Sequence, residues 1–342
     1  MARPTIADVA RAARVGVATV DRVLNGRAAV KPETAARVLE AAQSVGYHAT
    51  ALLRRRLAAT LPVHRLGFLL QRPEQIFYQG LHLAIVAACA EPHDFRAVCT
   101  VRYLPSQAAT DISDGLRRLA RECDAVAMVA VDHPAVAATV AEISGAGVPV
   151  FTLLSDSAPA ARRAYIGLDN FKVGRTAGWL LARLMGGRGK VAIFVGSHRF
   201  HGHEMREIGC RSTMREYAAG FDFVDTQTSL EDVAIAREAV LDLIKRHPDL
   251  GGLYLAGGGT EGAIAALREE GASGRIAFVG NENTDITRPA LADGTISAVI
   301  ATPVREVARA AVAAMRTALA DPNSAAPAPV FLDFHIHTPE NL

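Results

Sequence analysis

The sequence predicts a mixed α/β protein: a small three-helix head followed by a two-lobed α/β body with parallel sheets. Three observations carry this expectation. Residues Thr5–Asn25 read as two short amphipathic helices around a tight turn. From Arg65 onward, strand-like and helix-like runs alternate. At 342 residues, half of them apolar and 6% aromatic, the chain exceeds one small domain and accommodates a head and two α/β lobes.

In the head, Ile6, Val9, Ala10 and Ala13 recur at helical spacing and share one apolar face. Thr5 stands at the N-cap position, and Asp8 three residues on can reach back to it, a variant of the capping box. Arg14-Val15-Gly16 breaks the pattern. The second helix turns Val20, Val23 and Leu24 inward and leaves Ala18, Thr19, Asp21 and Arg22 outward. The third starts at Pro32, with Glu33 at the positive end of its dipole. It buries Ala35, Val38, Leu39, Ala42 and Val45 and stops at Gly46. The expected small core is Val9, Val20, Val23, Leu39, Val45 and Tyr47. A helix pair that presents short polar residues and an arginine is the shape of a helix-turn-helix DNA reader.

Charge divides the chain in the same place. Residues 1–65 hold 11 Lys and Arg against 4 Asp and Glu, while the whole chain carries only +2. A basic head on an acidic body points to a polyanion partner for the head alone. Behind the head, Ala51–Ala59 reads as a short hinge helix with Arg54, Arg55 and Arg56 beside Leu52, Leu53 and Leu57, ended by Leu61-Pro62. On DNA such arginines neutralise phosphates while a leucine wedges between base steps from the minor groove. Alone, nine residues make a marginal helix, and a basic linker is the plainer alternative. The domain boundaries expected are 1–49 for the head, 50–62 for the hinge and 63–342 for the body. Within the body, one lobe takes about 63–165 and 303–325, and the other about 166–302 and 326–342. Cys89, Cys99, Cys123 and Cys210 have no metal or redox spacing and suit buried thiols in a reducing cytoplasm. No export signal opens the chain and no apolar run is long enough to span a membrane, so a cytoplasmic location is expected.

Expected strands are Leu66–Leu70, Arg96–Tyr103, Ala125–Val131, Val148–Leu153, Lys190–Val195, Gly251–Leu255, Ile276–Gly280 and Ile296–Ala301. Helical runs between them include Ala109–Glu122, Ala135–Gly145, Lys172–Met185, Ile235–Arg246 and Thr260–Glu270. Such a βαβ series gives parallel sheets wrapped by helices, with any ligand at the carboxyl ends of the strands between the lobes.

Four blocks at the N-terminus carry a resemblance. They are T-I-A-D-V-A (Thr5–Ala10), V-G-V-A-T-V-D-R-V-L-N (Val15–Asn25), V-K-P-E-T (Val30–Thr34) and V-L-E-A-A-Q-S-V-G-Y (Val38–Tyr47). In order and spacing they resemble the LacI/GalR family of bacterial transcription regulators. The resemblance implies base reading by Val17, Ala18 and Arg22, the last through guanine O6 and N7. It implies phosphate contacts by Thr19, Asn25 and Thr34, and Thr5 is counted with the DNA-binding residues. It also implies that Arg54, Arg55 and Arg56 follow the head onto DNA, with Leu53 or Leu57 as the intercalating residue. Two departures stand out. Asp21 replaces the usual Ser, and is expected to pair with a basic neighbour or accept from a cytosine amino group. Ala49-Thr50 replaces the usual Pro-Asn at the hinge entry.

The body resembles sugar-binding proteins of the type I periplasmic-binding-protein fold, as the family's bodies do. That resemblance implies an effector site. Arg72, Phe77 and Tyr78 follow the first strand, the rings stacking on a sugar. Asp132 in V-D-H-P binds hydroxyls, Arg206 in H-E-M-R-E-I-G is a ligand arginine, and Glu282 with Asn283 in V-G-N-E-N supplies an acid at a strand end. Thr302 is a further polar position, and His198 is placed at the cleft or its mouth. Carboxylate, arginine and aromatic faces match the rim and flat C–H faces of a polyhydroxylated ring. One departure is Ala256-Gly257-Gly258-Gly259, where relatives have Asn-Asp. These glycines either offer backbone N–H groups to an anionic effector or form a flexible turn.

No metal and no cofactor is assigned. His198, His201 and His203 share a loop, and Asp333, His335 and His337 alternate, but neither set has a fourth ligand at a recognisable spacing. No nucleophile–base constellation supports an enzyme, and Trp179 reads as a core or packing residue. The expected protein is a homodimeric, sequence-specific regulator that reads double-stranded operator DNA and acts as a repressor. Its expected effector is a sugar, polyol, sugar acid or sugar phosphate. The expected dimer contacts are Gly80–Cys89 and Ala109–Ala120. The alternative is a transport-type sugar-binding protein without a regulatory role.

Overall fold

The computed structural model describes residues 4–25, 30–50, 61–91, 94–217, 220–323 and 328–342. They divide into two compact units, residues 1–64 with 91–98 and residues 65–90 with 99–342.

The first unit contains α1 (Ile6–Ala13), α2 (Val17–Asn25) and α3 (Pro32–Ser44). The capping box at α1 is formed: the Thr5 backbone N–H donates to Asp8 Oδ2 at 2.9 Å, and Asp8 N–H donates back to Thr5 Oγ1 at 3.4 Å. Arg14 ends α1 in the left-handed region, φ 53°, so the chain turns within three residues. Arg37 on α3 donates to the Ala13 carbonyl at 2.7 Å, covering a C-terminal acceptor of α1 and tying α3 to the turn. Gly46, φ +70°, stops α3 as expected. The core forms around Val9, Val20, Val23, Val38, Ala42 and Tyr47, while Leu39 and Val45 pack on its edge, only partly buried. The hinge residues Leu53, Arg54, Arg55, Arg56 and Leu57 lie outside the described residues.

The second unit holds two sheets. One runs β12–β5–β4–β3–β1–β2, with β1 (Val63–Leu70), β2 (Arg96–Tyr103), β3 (Ala125–Met128), β4 (Val150–Leu153), β5 (Ala164–Leu168) and β12 (Val330–Leu332). The registers of β1 with β3, β3 with β4, β4 with β5 and β5 with β12 are parallel. Every residue of β3, β4 and β5 is buried, the mark of a parallel sheet covered on both faces. Around it lie α4 (Ile76–Ala90), α5 (Ala109–Glu122), α6 (Pro134–Gly145) and the returning α12 (Val304–Ala320), which packs on α4 and on β3 to β5.

The other sheet runs β13–β11–β10–β9–β6–β7, with β8 also on β6. Its strands are β6 (Arg188–Val195), β7 (Gly220–Phe223), β8 (Gln227–Thr228), β9 (Leu250–Leu255), β10 (Ala277–Asn281), β11 (Ala298–Ala301) and the antiparallel β13 (His335–His337). One face buries Val240, Leu243, Leu253, Leu267 and Phe278 under α9 (Val233–Arg246), α10 (Thr260–Glu269) and α11 (Thr287–Ala292). The other buries Val173, Leu181, Ile193, Met214 and Tyr254 under α7 (Asn170–Leu184) and α8 (His201–Tyr217).

The alternating pattern from Arg65 therefore describes this unit, with three differences. The strand expected to end at Val131 ends at Met128. The boundary expected at 165/166 falls inside β5, and β12 pairs with β5, so residues 330–332 belong to the first lobe. These strands of three to five residues are too short to show a period, and only pairing reveals them. Trp179 is not a core residue: it is 40% exposed, with the Arg183 guanidinium 5.7 Å from its ring centroid. Among the described residues no helix is long and apolar enough to cross a membrane.

Candidate functional site

Two places in the chain gather the predicted residues. On α2, Val17, Ala18 and Arg22 are exposed, while Thr19 and Asp21 are half-buried. Arg22 Nε donates to the Ala18 carbonyl at 3.2 Å, which sets the guanidinium along the helix. Among the described residues Asp21 pairs with no basic neighbour; its Oδ1 accepts from Asn25 Nδ2 at 2.6 Å. The two are one helical turn apart, so the Asn25 amide expected on a phosphate is first engaged by Asp21. Thr5 donates its hydroxyl proton to Asp8 at 2.7 Å, and that hydrogen bonding holds the Asp8 carboxyl below its usual range. Thr34 is half-buried in the first turn of α3.

In the second unit a cleft of about 570 Å³ opens at the carboxyl ends of β1, β4, β6, β9, β10 and β11. This is where a doubly wound sheet leaves backbone groups and helix N-termini unoccupied. Of the predicted effector residues, Arg72, Phe77, Tyr78, Arg206, Glu282 and Thr302 line it.

Arg206 enters from the first turns of α8 and is 8% exposed. Its Nε donates to Asn170 Oδ1 at 2.7 Å and its Nη1 to the Ala256 carbonyl at 2.9 Å. Asn170 in turn donates to the Leu154 carbonyl at 2.9 Å. The guanidinium is thus held between the ends of β4 and β9. A fork fixed at two points presents its remaining donors at little entropic cost.

Glu282 follows β10 with φ 69°, a left-handed turn that faces its carboxylate across the sheet to β11. There it accepts from the Thr302 backbone N–H at 2.9 Å and from Thr302 Oγ1 at 2.7 Å. Burial pushes its carboxyl above the usual range, against the opposing pull of Arg206 and Thr302. Phe77 and Tyr78 meet edge-on, ring centroids 5.3 Å apart, and Tyr78 is 6% exposed. Burial raises the Tyr78 hydroxyl well above 10, so it stays neutral. Arg72, φ 26°, donates through Nη2 to the Leu230 carbonyl at 2.9 Å, and its buried Nε has no partner among the described residues.

Three predicted residues stand elsewhere. Asp132 is exposed, its backbone N–H bound to the Arg199 carbonyl at 2.7 Å. The V-D-H-P segment instead starts α6, where His133 Nδ1 accepts from Ala135 N–H at 3.1 Å. His198 is exposed on the loop before α8. Asn283 is left off the lining because the turn at Glu282 gives the cleft Glu282 and Thr284.

The cleft also takes residues that sequence reasoning missed, chiefly Gln75, Asn170, His203, Glu231 and Thr284. Of these, Asn170 follows an Asp169 N-cap, a signal for helix start but not for a ligand contact. His203 is fully neutral: burial, then Arg206, lowers it to about 3. Its Nδ1 is buried with no partner among the described residues. The Gly257–Gly259 turn is neither a bare anion cradle nor a loose turn. A Cβ on Gly257 would lie 2.5 Å from the Gly196 nitrogen, so backbone passes backbone there. Gly259 caps α10 at φ 100°, and Gly258 offers its N–H to the Glu231 carboxylate.

Comparison with known proteins gives both parts a family. Residues 5–50 match the bacterial regulatory proteins of the lacI family, and residues 66–322 match the periplasmic binding protein domain. The chain is 28% identical to the HTH-type transcriptional regulator GalS of Salmonella typhimurium over 78% of this chain and 76% of that one. It is 29% identical to a D-ribose/D-allose-binding protein of Pseudomonas aeruginosa, over 57% of this chain and 62% of the relative's length. Among solved structures, a solute-binding protein of Burkholderia graminis in complex with D-arabinose superposes with a TM-score of 0.75 at 20% identity. That alignment covers 81% of this chain and 96% of the other. With its capped head and its cleft at the strand ends, the chain belongs to the lacI family of bacterial regulatory proteins, DNA-binding transcription regulators, and carries a periplasmic binding protein domain as its body.

Proposed function

We propose that this regulator is a cytoplasmic homodimeric repressor whose operator occupancy is set by a sugar bound in the cleft. The observation that carries the reading is the pairing of Arg206, fixed at two points, with Glu282, fixed at two points, beside the Phe77 and Tyr78 rings. A sugar hydroxyl can donate to the acid and accept from the arginine at once, while a ring's C–H face packs on the aromatics. The printed ligands of the relatives, ribose or allose in one and arabinose in another, support an aldose.

Ligand closure of the lobes changes occupancy only through differential affinity for the DNA-competent state. Two heads are needed for a two-fold operator. The α4 residues Leu83 and Val86, 72% and 44% exposed, supply apolar surface for pairing two bodies.

Thermal melting with aldopentoses and aldohexoses, followed by gel retardation on DNA upstream of the coding sequence, tests this. A true effector at 100 times its Kd adds about 2.7 kcal/mol of stability and shifts the retarded fraction. If every sugar leaves melting and retardation unchanged, the effector reading is wrong. If no specific DNA is retarded, the operator reading is wrong.

A further inference from the structure

Between β8 and α9 the chain places two successive non-glycine residues, Leu230 and Glu231, in the left-handed region, φ 51° and 56°. Such backbone persists only where its surroundings hold it. Here Glu231 N–H donates to Ser229 Oγ at 3.2 Å, the Glu231 carbonyl accepts from Gln75 Nε2 at 2.9 Å, and the Leu230 carbonyl accepts from Arg72. The outcome is a glutamate only 6% exposed that lines the cleft.

Glycines make the space for it. A Cβ on Gly196 would stand 2.5 Å from Glu231 Cγ, and one on Gly258 would stand 3.1 Å from Glu231 Cβ. The Gly258 N–H, at the entrance to α10, favours the ionised form of this carboxylate. The position where a helix-entry turn would cradle a ligand's anion is therefore filled by an anion of the protein.

Among the described residues no arginine or lysine is within ion-pair distance of the carboxylate. Its nearest side-chain donors are Gln107 Nε2 at 3.4 Å and His203 Nε2 at 3.7 Å, and His203 is neutral. Arg72 and Arg206 attract it through space, while burial dominates and pushes it up to about 7. Glu74, Asp232, Glu261 and Glu282 line the same cleft, so acids outnumber the two arginines.

We propose that Glu231 is a ligand-binding carboxylate that selects an uncharged polyhydroxylated ligand over its carboxylate or phosphate derivatives. The proposal rests on the reading of the cleft as a sugar site. Ligand hydroxyls donate to Glu231 and replace the solvation it lost on burial. The anionic group of a uronate or a phosphate ester has no hydroxyl proton to give Glu231 and is repelled by its ionised carboxylate. Hydroxyl donation favours the ionised acid, so the neutral sugar binds more tightly as pH rises through about 7. Of the groups beside Glu231, His203 stays neutral throughout that window. Glu282 lines the same cleft and is itself raised, so the variant separates the two acids.

Calorimetric titration of the full chain with D-galactose, D-galacturonate and D-galactosamine, and with D-ribose and D-ribose 5-phosphate, tests it. Near pH 8 the neutral sugar of the binding pair is expected to be tighter than its uronate or phosphate partner by on the order of tenfold or more, and the amino sugar to bind at least as well as the neutral one. In Glu231→Gln the preference over the anion shrinks to about threefold or less, and the pH dependence of neutral-sugar binding between pH 6 and 8 flattens. The wild-type comparisons need no variant, so a misfolded Gln protein would not rescue or sink the idea. An anion that binds as well as its neutral parent, an amino sugar weakened as much as the anion, or a Gln protein that keeps the full preference overturns it while leaving the sugar reading in place. Silence from all five ligands removes the sugar reading and this proposal with it.

Discussion

Gly174→Ala tests how the fold holds the cleft. Gly174 on α7 faces the backbone of Arg206 on α8: an added Cβ would lie 2.0 Å from the Arg206 carbonyl oxygen, 2.6 Å from its carbon and 2.7 Å from its Cα. Gly209 from the other helix meets the Phe171 carbonyl at 2.3 Å, and Gly178 meets that of Cys210 at 2.6 Å, so the two helices cross backbone to backbone. No rotamer change relieves such overlaps. A carbon–oxygen contact needs about 3.2 Å, so the helices must part by about 1 Å. Alanine recovers about 1 kcal/mol of helix propensity, and overpacking of backbone on backbone costs about 3 kcal/mol, leaving a net loss of about 2 kcal/mol. That lowers Tm by about 4–8 °C. The same shift displaces Arg206, whose bonds to Asn170 and Ala256 are 2.7 and 2.9 Å. Losing one such charged hydrogen bond weakens effector binding about tenfold. Calorimetric melting and sugar titration read both effects. Gly145→Ala at the end of α6, with no atom within 4 Å of the added Cβ, is the control and loses nothing. A Gly174→Ala protein that melts with the wild type and binds sugar equally refutes the account of this crossing.

Other outcomes follow from single residues. Arg22→Ala is expected to lose about 1–3 kcal/mol of discrimination between operator and point-changed operator, read by competition in gel retardation; equal discrimination moves the reading role elsewhere. Val20→Ala, at a fully buried site of the head, is expected to cost about 1.5–3 kcal/mol and to lower the temperature at which DNA retardation is lost. The Glu231 carboxyl is raised from 4.5 to about 7 in the folded chain, so the native state holds its proton longer than the unfolded one. Wild-type stability therefore falls as pH climbs from about 4.5 to 7, and Glu231→Gln, lacking that loss, gains up to ~3 kcal/mol relative to wild type by pH 8. Denaturation at pH 5 and 8 checks the sign, and a constant difference between the two proteins would contradict it.

Much of this protein is legible along the chain because the controlling interactions are local. The Thr5–Asp8 cap, the apolar face of α1, the Gly46 stop and the alternation after Arg65 each depend on residues within a few positions. Arg206, Glu282 and Thr302 were reachable because the body's resemblance to sugar-binding proteins implies where ligand residues stand, and all three line the cleft. Tertiary structure alone decided the rest. The three- to five-residue strands β5 and β12 exist through their partners, and that pairing sets the lobe boundary. Asp132 was diverted because its loop is spent on starting α6. Asp21 is engaged by Asn25, one helical turn away. Glu231 shows the division most sharply. In the sequence it is one acid in a loop; in the fold, Gly196 and Gly258 vacate its space, Arg72 and Gln75 hold the loop that carries it, and burial gives it a charge state it would not have in water. Local pattern encodes where the chain bends, but desolvation depends on which distant segments close over a group, and only the folded chain brings those together.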